Sequence, residues 1–223
     1  MNAVRVAPGP AGSRVLWVEG KDDDAVVQSL CKSHRLPQSF SVREKGGFEK
    51  LLAGITLEIR APGLDRFGIV VDANGDAAAR FAQIRRVVEP EGYPTFPFSL
   101  PNEGLVVPAT GPLPRVGIWI MPDNGSPGAL EDFGAALVPQ DDVLWKRAGE
   151  AVDGIPEQHR RFPAGRRSKA HMHTWLAWQE QPGSPMGQAI GKGDLDAHAP
   201  AAQRFVAWLR RLMVDEAEGE SAG

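Results

Sequence analysis

Short runs of hydrophobic residues, each followed by an acidic residue, are the main pattern along the chain. The runs and their acids are residues 15–18 with Glu19, residues 67–71 with Asp72, and residues 116–121 with Asp123. Short runs rich in Val and Ile, without polar alternation, are typical of strands buried on both faces in parallel sheets. They therefore predict three parallel strands, and weak alternation over residues 39–44 indicates a fourth.

Hydrophobic residues spaced three and four apart predict helices between and after these strands. Such stripes occupy residues 25–31, 48–55, 77–88 and 130–137. Alternating strands and helices favour right-handed crossovers and therefore an α/β fold with a doubly wound, mainly parallel sheet and helices on both faces.

Strand patterns stop after residue 140, and the remaining chain is predicted to be helical. Helices are expected over residues 166–181 and 201–213, with loops at 181–185 and 191–193 between them. We therefore divide the chain into an α/β core at residues 13–140 and a helical C-terminal extension at residues 141–214 that packs on this core.

The composition is that of an ordinary globular protein and excludes several other classes. The 223 residues are 42% hydrophobic and 24% charged, with a formal net charge of −3, which gives no overall attraction to nucleic acid or membrane. Cys31 is the single cysteine and is expected in the core. No apolar run reaches the roughly 18–20 residues that cross a bilayer, so we expect a cytoplasmic protein without a membrane partner.

The acids that follow the strands predict a ligand site. Open parallel sheets bind ligands at the carboxyl ends of their strands, where Glu19, Asp72 and Asp123 are expected to meet. Two carboxylates about 4 Å apart repel by roughly 4 kcal/mol at an effective dielectric near 20, so such a cluster needs a cation, shared protons or basic neighbours. Oxygen ligands favour Mg²⁺ or Mn²⁺. The alternative is that each acid only caps the following helix.

Two segments resemble the motifs of Toprim domains. The segment VEGKDD at residues 18–23 resembles the first motif, in which a strand ends in Glu-Gly, and VVDANGD at residues 70–76 resembles the second, an Asp-x-Asp at a strand end. Toprim domains occur in topoisomerases, bacterial primases and the overcoming-lysogenization-defect nucleases. The chain is more similar to an uncharacterised bacterial family with a Toprim-like fold, over residues 13–213 and through the segments MPDN at 121–124 and KA at 169–170.

The resemblance implies roles for individual residues. Glu19 would be a general acid/base or a metal ligand, and Lys169 would stabilise charge on a cleaved phosphate. Asn74 stands where Toprim proteins usually have a second Asp, and Asp76 could compensate for it. The implied ligands of Mg²⁺ or Mn²⁺ are Glu19, Asp72, Asn74, Asp76, Asp123 and Glu131.

Three functions are compatible with these residues. The first is a Mg²⁺-dependent phosphodiester-processing enzyme, a nuclease, in which two ions would activate water and stabilise the leaving oxygen. The second is a non-catalytic Toprim-like module that binds a nucleotide or a protein, with Asn74 marking the loss of catalysis. The third is a nucleotidyl or phosphoryl transferase.

A basic segment at residues 159–173 could bind the phosphates of a nucleic acid or a nucleotide. It contains no acidic residue, and its arginines are Arg160, Arg161, Arg166 and Arg167. The alternative is a solvated surface. His171 and His173 are two residues apart, a spacing that does not suit chelation from a helix, so we expect core or surface roles.

Overall fold

A computed structural model of the protein describes residues 14–37 and 39–214, and within them the chain forms one five-stranded sheet. Its strands are β1 (Arg14–Val18), β2 (Ser41–Glu44), β3 (Arg66–Asp72), β4 (Leu105–Val107) and β5 (Arg115–Met121). Their order across the sheet is β2-β1-β3-β5-β4, and all neighbours are parallel except β4 and β5. The α/β class and the four expected strands are confirmed, whereas β4 was not predicted.

Eight α-helices accompany the sheet in the described ranges. They are α1 (Lys21–Ser33), α2 (Phe48–Ile59), α3 (Ala77–Val88), α4 (Leu130–Ala135), α5 (Val143–Asp153), α6 (Arg167–Leu176), α7 (Met186–Lys192) and α8 (Pro200–Met213). The sequence pattern predicted α1 to α4, α6 and α8. It did not predict α5 or α7, and α7 extends to Lys192, where we expected a loop. No helix in these ranges has the length and apolarity needed to cross a membrane.

Helices cover both faces of the sheet because successive strand residues point to opposite sides. On β1, Leu16 and Val18 join a buried cluster formed with α1, α4, α6, α7 and α8. Val15 and Trp17 join a second buried cluster formed with α2 and α3. The prediction of helices on both faces is therefore confirmed.

The last helix packs closely on the sheet because two strands carry glycines beneath it. A Cβ atom at Gly117 would lie 2.4 Å from a Leu212 methyl carbon, and one at Gly68 would lie 2.9 Å from the same carbon. Trp208 is fully buried and its indole N–H donates to the carbonyl oxygen of Leu105 at 2.9 Å. The strands that carry the predicted acids are therefore covered by the C-terminal helices.

Cys31 is buried, as the sequence indicated. Trp175 and Trp208 are buried as well, whereas Trp178 is 41% exposed. Burial raises the pKa of the Cys31 thiol to about 11, so this thiol is not a reactive nucleophile.

Candidate functional site

Six acidic side chains line one pocket of about 610 Å³ at the carboxyl ends of the parallel strands: Glu19, Asp22, Asp23, Asp72, Glu131 and Asp132. Four of these carboxylates form the site considered below. Glu19 follows β1 and Asp72 ends β3, and the parallel pairing of Val18 with Val70 brings these strand ends together. Asp23 lies in the first turn of α1 and Glu131 in the first turn of α4. The structure therefore brings together Glu19, Asp72 and Glu131, three of the residues that the sequence predicted.

Backbone amides at the strand and helix ends hold three of these carboxylates. The amide of Asp72 donates to Glu19 Oε1 at 2.9 Å, and the amide of Gly20 donates to Asp23 Oδ2 at 3.1 Å. Asp72 Oδ1 in turn accepts from the amide of Leu130 at 3.0 Å, where α4 begins. The carboxylates are thus fixed by the same turns that connect strands to helices, which gives the site a defined arrangement.

Burial and mutual repulsion raise the pKa values of these acids. Burial, followed by the charges of Asp23, Glu19 and Glu131, raises the pKa of Asp72 to about 8. Burial and the charge of Glu19 raise the pKa of Asp23 to about 7. Burial also raises the pKa of Glu19, against the hydrogen bond from the amide of Asp72. The site therefore contains more negative charge than its surroundings neutralise.

Asp23 has a buried oxygen without a partner. Its side chain is only 7% exposed, and Oδ1 makes no hydrogen bond within residues 14–37 and 39–214. An unpaired buried polar atom costs about 1–3 kcal/mol, and more when it is charged, so it points to a missing proton or cation. Asp23 was not predicted as a ligand, although it lies four residues after Glu19 in the segment that resembles the first Toprim motif.

Two adjacent contacts connect α6 to the acidic side of the pocket. Lys169 Nζ donates to Glu131 Oε1 at 2.7 Å, and Ser168 Oγ donates to Asp132 Oδ1 at 2.6 Å. The predicted proximity of Lys169 to the acids is therefore present in the structure. Because Glu131 is nearly buried, this ion pair neutralises one of the four carboxylates.

The donor atoms fit a hard divalent cation by their chemistry. All four side chains offer carboxylate oxygens, which Mg²⁺ and Mn²⁺ prefer. Among the described residues, no three His, Cys, Asp or Glu side chains are arranged as a ready group of metal ligands. Mg²⁺ usually takes only one or two protein carboxylates and completes its shell with water and substrate phosphate, so this arrangement suits Mg²⁺ better than a closed protein cage.

Asn74 lines the pocket, but its backbone does not continue the extended conformation of β3. Its φ is 53°, and its amide and carbonyl pair with those of Gly128 at 2.7 and 2.8 Å. Asp76 does not line this pocket, because its Oδ1 accepts from the amide of Ala79 at 3.0 Å and caps α3. The left-handed turn at residue 74 directs the chain into this helix cap.

Asp123 lies apart from the other predicted ligands. Its oxygens accept from the amides of Gly125 and Ser126 and from the Ser126 hydroxyl, at 3.1, 2.7 and 2.8 Å. Burial opposes ionisation, but these hydrogen bonds outweigh it and lower the pKa of Asp123. Asp123 therefore stabilises its own loop and is not included in the site proposed below.

Arg80 supports the site and was not indicated by the sequence. Its Nε donates to the carbonyl oxygen of Asp72 at 3.0 Å, and its guanidinium lies over the ring of Phe48 at 3.7 Å. The positive charge of Arg80 also favours the ionised form of Glu19, which partly offsets the rise in the pKa of Glu19 that burial causes. The hydrophobic stripe over residues 77–88 predicted α3 itself. Which group Arg80 contacts from that helix depends on the order of the strands in the sheet, which the stripe does not predict.

The basic segment does not form one continuous patch. Arg166 lines the pocket, whereas Arg167 pairs with Asp153 and Arg160 donates to the carbonyl oxygen of Ile155 at 3.4 Å. Arg161 is exposed outside the pocket lining.

The histidines of this segment have the structural roles that their spacing favoured. His171 is 9% exposed, stacks on Trp145 at 3.7 Å and forms a hydrogen bond with its carbonyl oxygen at 2.8 Å. His173 is exposed.

The model of one protein family matches the chain. It is described as a protein of unknown function (DUF3226), and the match covers residues 13–214, nearly the full length. No curated protein and no solved structure matches the chain significantly.

Proposed function

The chain belongs to the DUF3226 family, and we propose that it is a Mg²⁺-dependent phosphodiester-processing enzyme with a nuclease-like Toprim site. The observation that carries this proposal is the pocket lined by six carboxylates, in which the pKa of Asp72 is raised to about 8 and Asp23 Oδ1 is buried without a partner in the described ranges. A divalent cation would supply the positive charge that these groups lack. Glu19, Asp23 and Asp72 are the candidate ligands, of which one or two would hold the cation directly.

When bound, the metal would act as a Lewis acid towards a phosphate oxygen and lower the pKa of water. Glu19 is suited to move a proton, since burial raises its pKa towards the range of a general acid or base. Lys169 adds a positive charge next to the carboxylates, at 2.7 Å from Glu131, and could stabilise charge developing on a phosphate. Arg80 is a positioning residue because it binds the backbone of Asp72.

Metal binding is tested by thermal unfolding with and without Mg²⁺ or Mn²⁺. A ligand that binds only the native state raises the melting temperature, so wild type should be stabilised, by about 2.7 kcal/mol at a concentration near 100 Kd. Glu19→Gln, Asp23→Asn and Asp72→Asn should each reduce the shift. Asp123→Asn is the matched control, because its carboxylate is engaged in its own loop. Equal shifts in all five proteins would exclude this metal site.

Catalysis is tested separately with bis(p-nitrophenyl) phosphate and with single- and double-stranded oligonucleotides. Activity should require Mg²⁺ or Mn²⁺ and should fall strongly in Glu19→Gln, since removing a general acid or base typically costs a factor of about 10² to 10⁴. Lys169→Met should reduce activity and leave metal affinity within about a factor of ten. Metal binding without any turnover would refute the enzymatic part of the proposal.

A second candidate is a non-catalytic module on the same site, and one observation favours it. Residue 74 is an Asn in a left-handed turn, and Asp76 is used as a helix cap, so the second acid of the Toprim motif is not supplied to the pocket. Such a module would bind a nucleotide or metal without hydrolysing phosphodiesters. The turnover assay above separates the two functions.

A further inference from the structure

The pocket with the six carboxylates is also lined by three cations. Lys21 begins α1, Arg166 directly precedes α6, and Lys169 lies in the first turn of α6. Lys169 is paired with Glu131. Lys21 and Arg166 are exposed, and neither side chain makes an ion pair or hydrogen bond with any part of the chain that the structure describes. Two cations at this pocket therefore have no direct ion-pair partner in the described ranges.

The neighbouring arginines do not share this position. Arg167 is paired with Asp153, Arg160 is bound to a backbone carbonyl, and Arg161 lies outside the pocket lining. The unpaired positive charge that the basic segment offers to a ligand in this pocket is thus concentrated in Arg166. A protein that tracks a nucleic-acid backbone needs a longer series of free cations, because each phosphate that it neutralises requires one.

The size and the surroundings of the pocket limit what it can accept. Its volume of about 610 Å³ lies within the roughly 300–1,000 Å³ typical of small-molecule sites. Two exposed acids stand at the same ends of the strands: Asp22, which lines the pocket beside Lys21, and Asp76, which lies outside the lining. A duplex presents a negative charge about every 1.7 Å of its axis, so laid across this edge it would meet both acids. A single nucleotide carries only its own phosphate charge, so it meets less repulsion from them.

We infer that the pocket binds a terminal phosphate carried by one flexible nucleotide, either a free nucleotide or the single-stranded end of a nucleic acid, with Arg166 and Lys21 as phosphate-binding residues. This inference rests on the proposed function in taking the substrate to be a phosphate ester. A guanidinium offers paired N–H donors that match two phosphate oxygens, and the ammonium of Lys21 adds a second charge from another element. The acids Asp22 and Asp76 act against the binding of a continuous duplex.

The test measures binding of labelled oligonucleotides by fluorescence anisotropy, in Ca²⁺ and separately in EDTA. The probes are an octathymidylate with a 5′ phosphate, the same strand without it, and a blunt duplex without terminal phosphates; thymidine 5′-monophosphate is the competitor. We expect the terminal phosphate to tighten binding about tenfold, and Arg166→Gln to remove most of that gain. Arg161→Gln is the matched control and should change affinity by less than about twofold.

Each outcome decides one question. Equal effects of Arg166→Gln and Arg161→Gln, no gain from the terminal phosphate, or no binding of any single-stranded probe overturns the inference. Competition by the mononucleotide at a similar concentration identifies a free nucleotide as sufficient, and a large preference for the oligonucleotide identifies a single-stranded end. A tighter-bound, internally cleaved duplex would overturn this inference and leave the proposed function intact. Arg166-dependent binding without metal-dependent turnover would support this inference and refute the enzymatic part of the proposed function.

Discussion

Replacing Asp72 by Asn should make the metal-free protein more stable at neutral pH. The pKa of Asp72 moves from 3.8 to about 8 in the folded protein, and each unit corresponds to about 1.4 kcal/mol, so the full effect is on the order of 5 kcal/mol. The buried side-chain amide that this substitution introduces would also lose hydrogen bonds to water, which reduces the expected gain to about 2–3 kcal/mol. For a chain of this size that gain corresponds to a melting temperature about 4–12 °C higher.

The stabilisation should depend on pH in a defined direction. Below the unfolded pKa of 3.8, Asp72 is protonated in both states and adds no penalty. Between about pH 4 and 8 the unfolded state releases this proton while the folded state retains it, so the stability of wild type falls as pH rises. At pH 4 only the lost hydrogen bonds of the amide remain, so Asp72→Asn should be less stable than wild type there. The difference between Asp72→Asn and wild type should therefore rise from a negative value at pH 4 to its positive maximum near pH 8.

Thermal unfolding in EDTA, at several pH values between 4 and 8.5, measures this difference. The control is Asp123→Asn, which should lose stability at neutral pH because hydrogen bonds from Ser126 and Gly125 favour its charged form. A difference between Asp72→Asn and wild type that stays constant from pH 5 to 8 would refute the reasoning. So would a lower melting temperature for Asp72→Asn at pH 8.

Three further substitutions have expected results. Asn74→Asp adds a negative charge at a position that lines the pocket, so Mg²⁺ binding measured by calorimetry should become about tenfold tighter. An unchanged dissociation constant, together with weaker binding by Asp76→Asn, would show that Asp76 and not residue 74 is the metal ligand. Asp76→Ala should cost about 1 kcal/mol in urea unfolding through loss of the α3 cap, with metal affinity unchanged. Gly104→Ala should cost at least about 2 kcal/mol, because φ is +79° and the new Cβ would lie 2.5 Å from Trp208; a loss below about 1 kcal/mol would contradict this.

The sequence predicted the strands whose burial made their pattern distinctive. The residues of β3 and β5 are almost all buried, so their hydrophobic runs stand out from the rest of the chain. β4 has only three residues, Leu105–Val107, and pairs antiparallel at the sheet edge. A run this short has no period that distinguishes a strand from a loop, so the edge of the sheet could not be predicted.

The sequence predicted the site where an acid ends a strand, as Asp72 does, or directly follows one, as Glu19 does. It predicted Asp123 in the same way, but the chain after β5 turns sharply, with Asn124 at φ 71° and its Oδ1 bonded to the amide of Ile120 at 2.8 Å. This inward turn gives Asp123 local partners and keeps it out of the pocket. Whether an acid at a strand end reaches the shared site therefore depends on the conformation of the following turn. The pattern of hydrophobic residues does not predict that conformation.

The partners of the basic segment could not be predicted because they come from another helix. The sequence shows no acid between residues 159 and 173, yet Arg167 pairs with Asp153 at the end of α5. The start of α5 is exposed, with Val143 at 66% exposure, and the hydrophobic pattern of the sequence did not predict this helix. A run of cations in sequence therefore overestimates the positive charge available to a ligand.

The paired contacts between α4 and α6 have a consequence for how this family can vary. Glu131 with Lys169, and Asp132 with Ser168, join two neighbouring residues on one helix to two neighbouring residues on the other. Loss of Lys169 alone would leave a nearly buried carboxylate unpaired, which is costly. Across the family, substitutions at positions 131 and 169 should therefore occur together, whereas those at positions 161 and 169 should be independent.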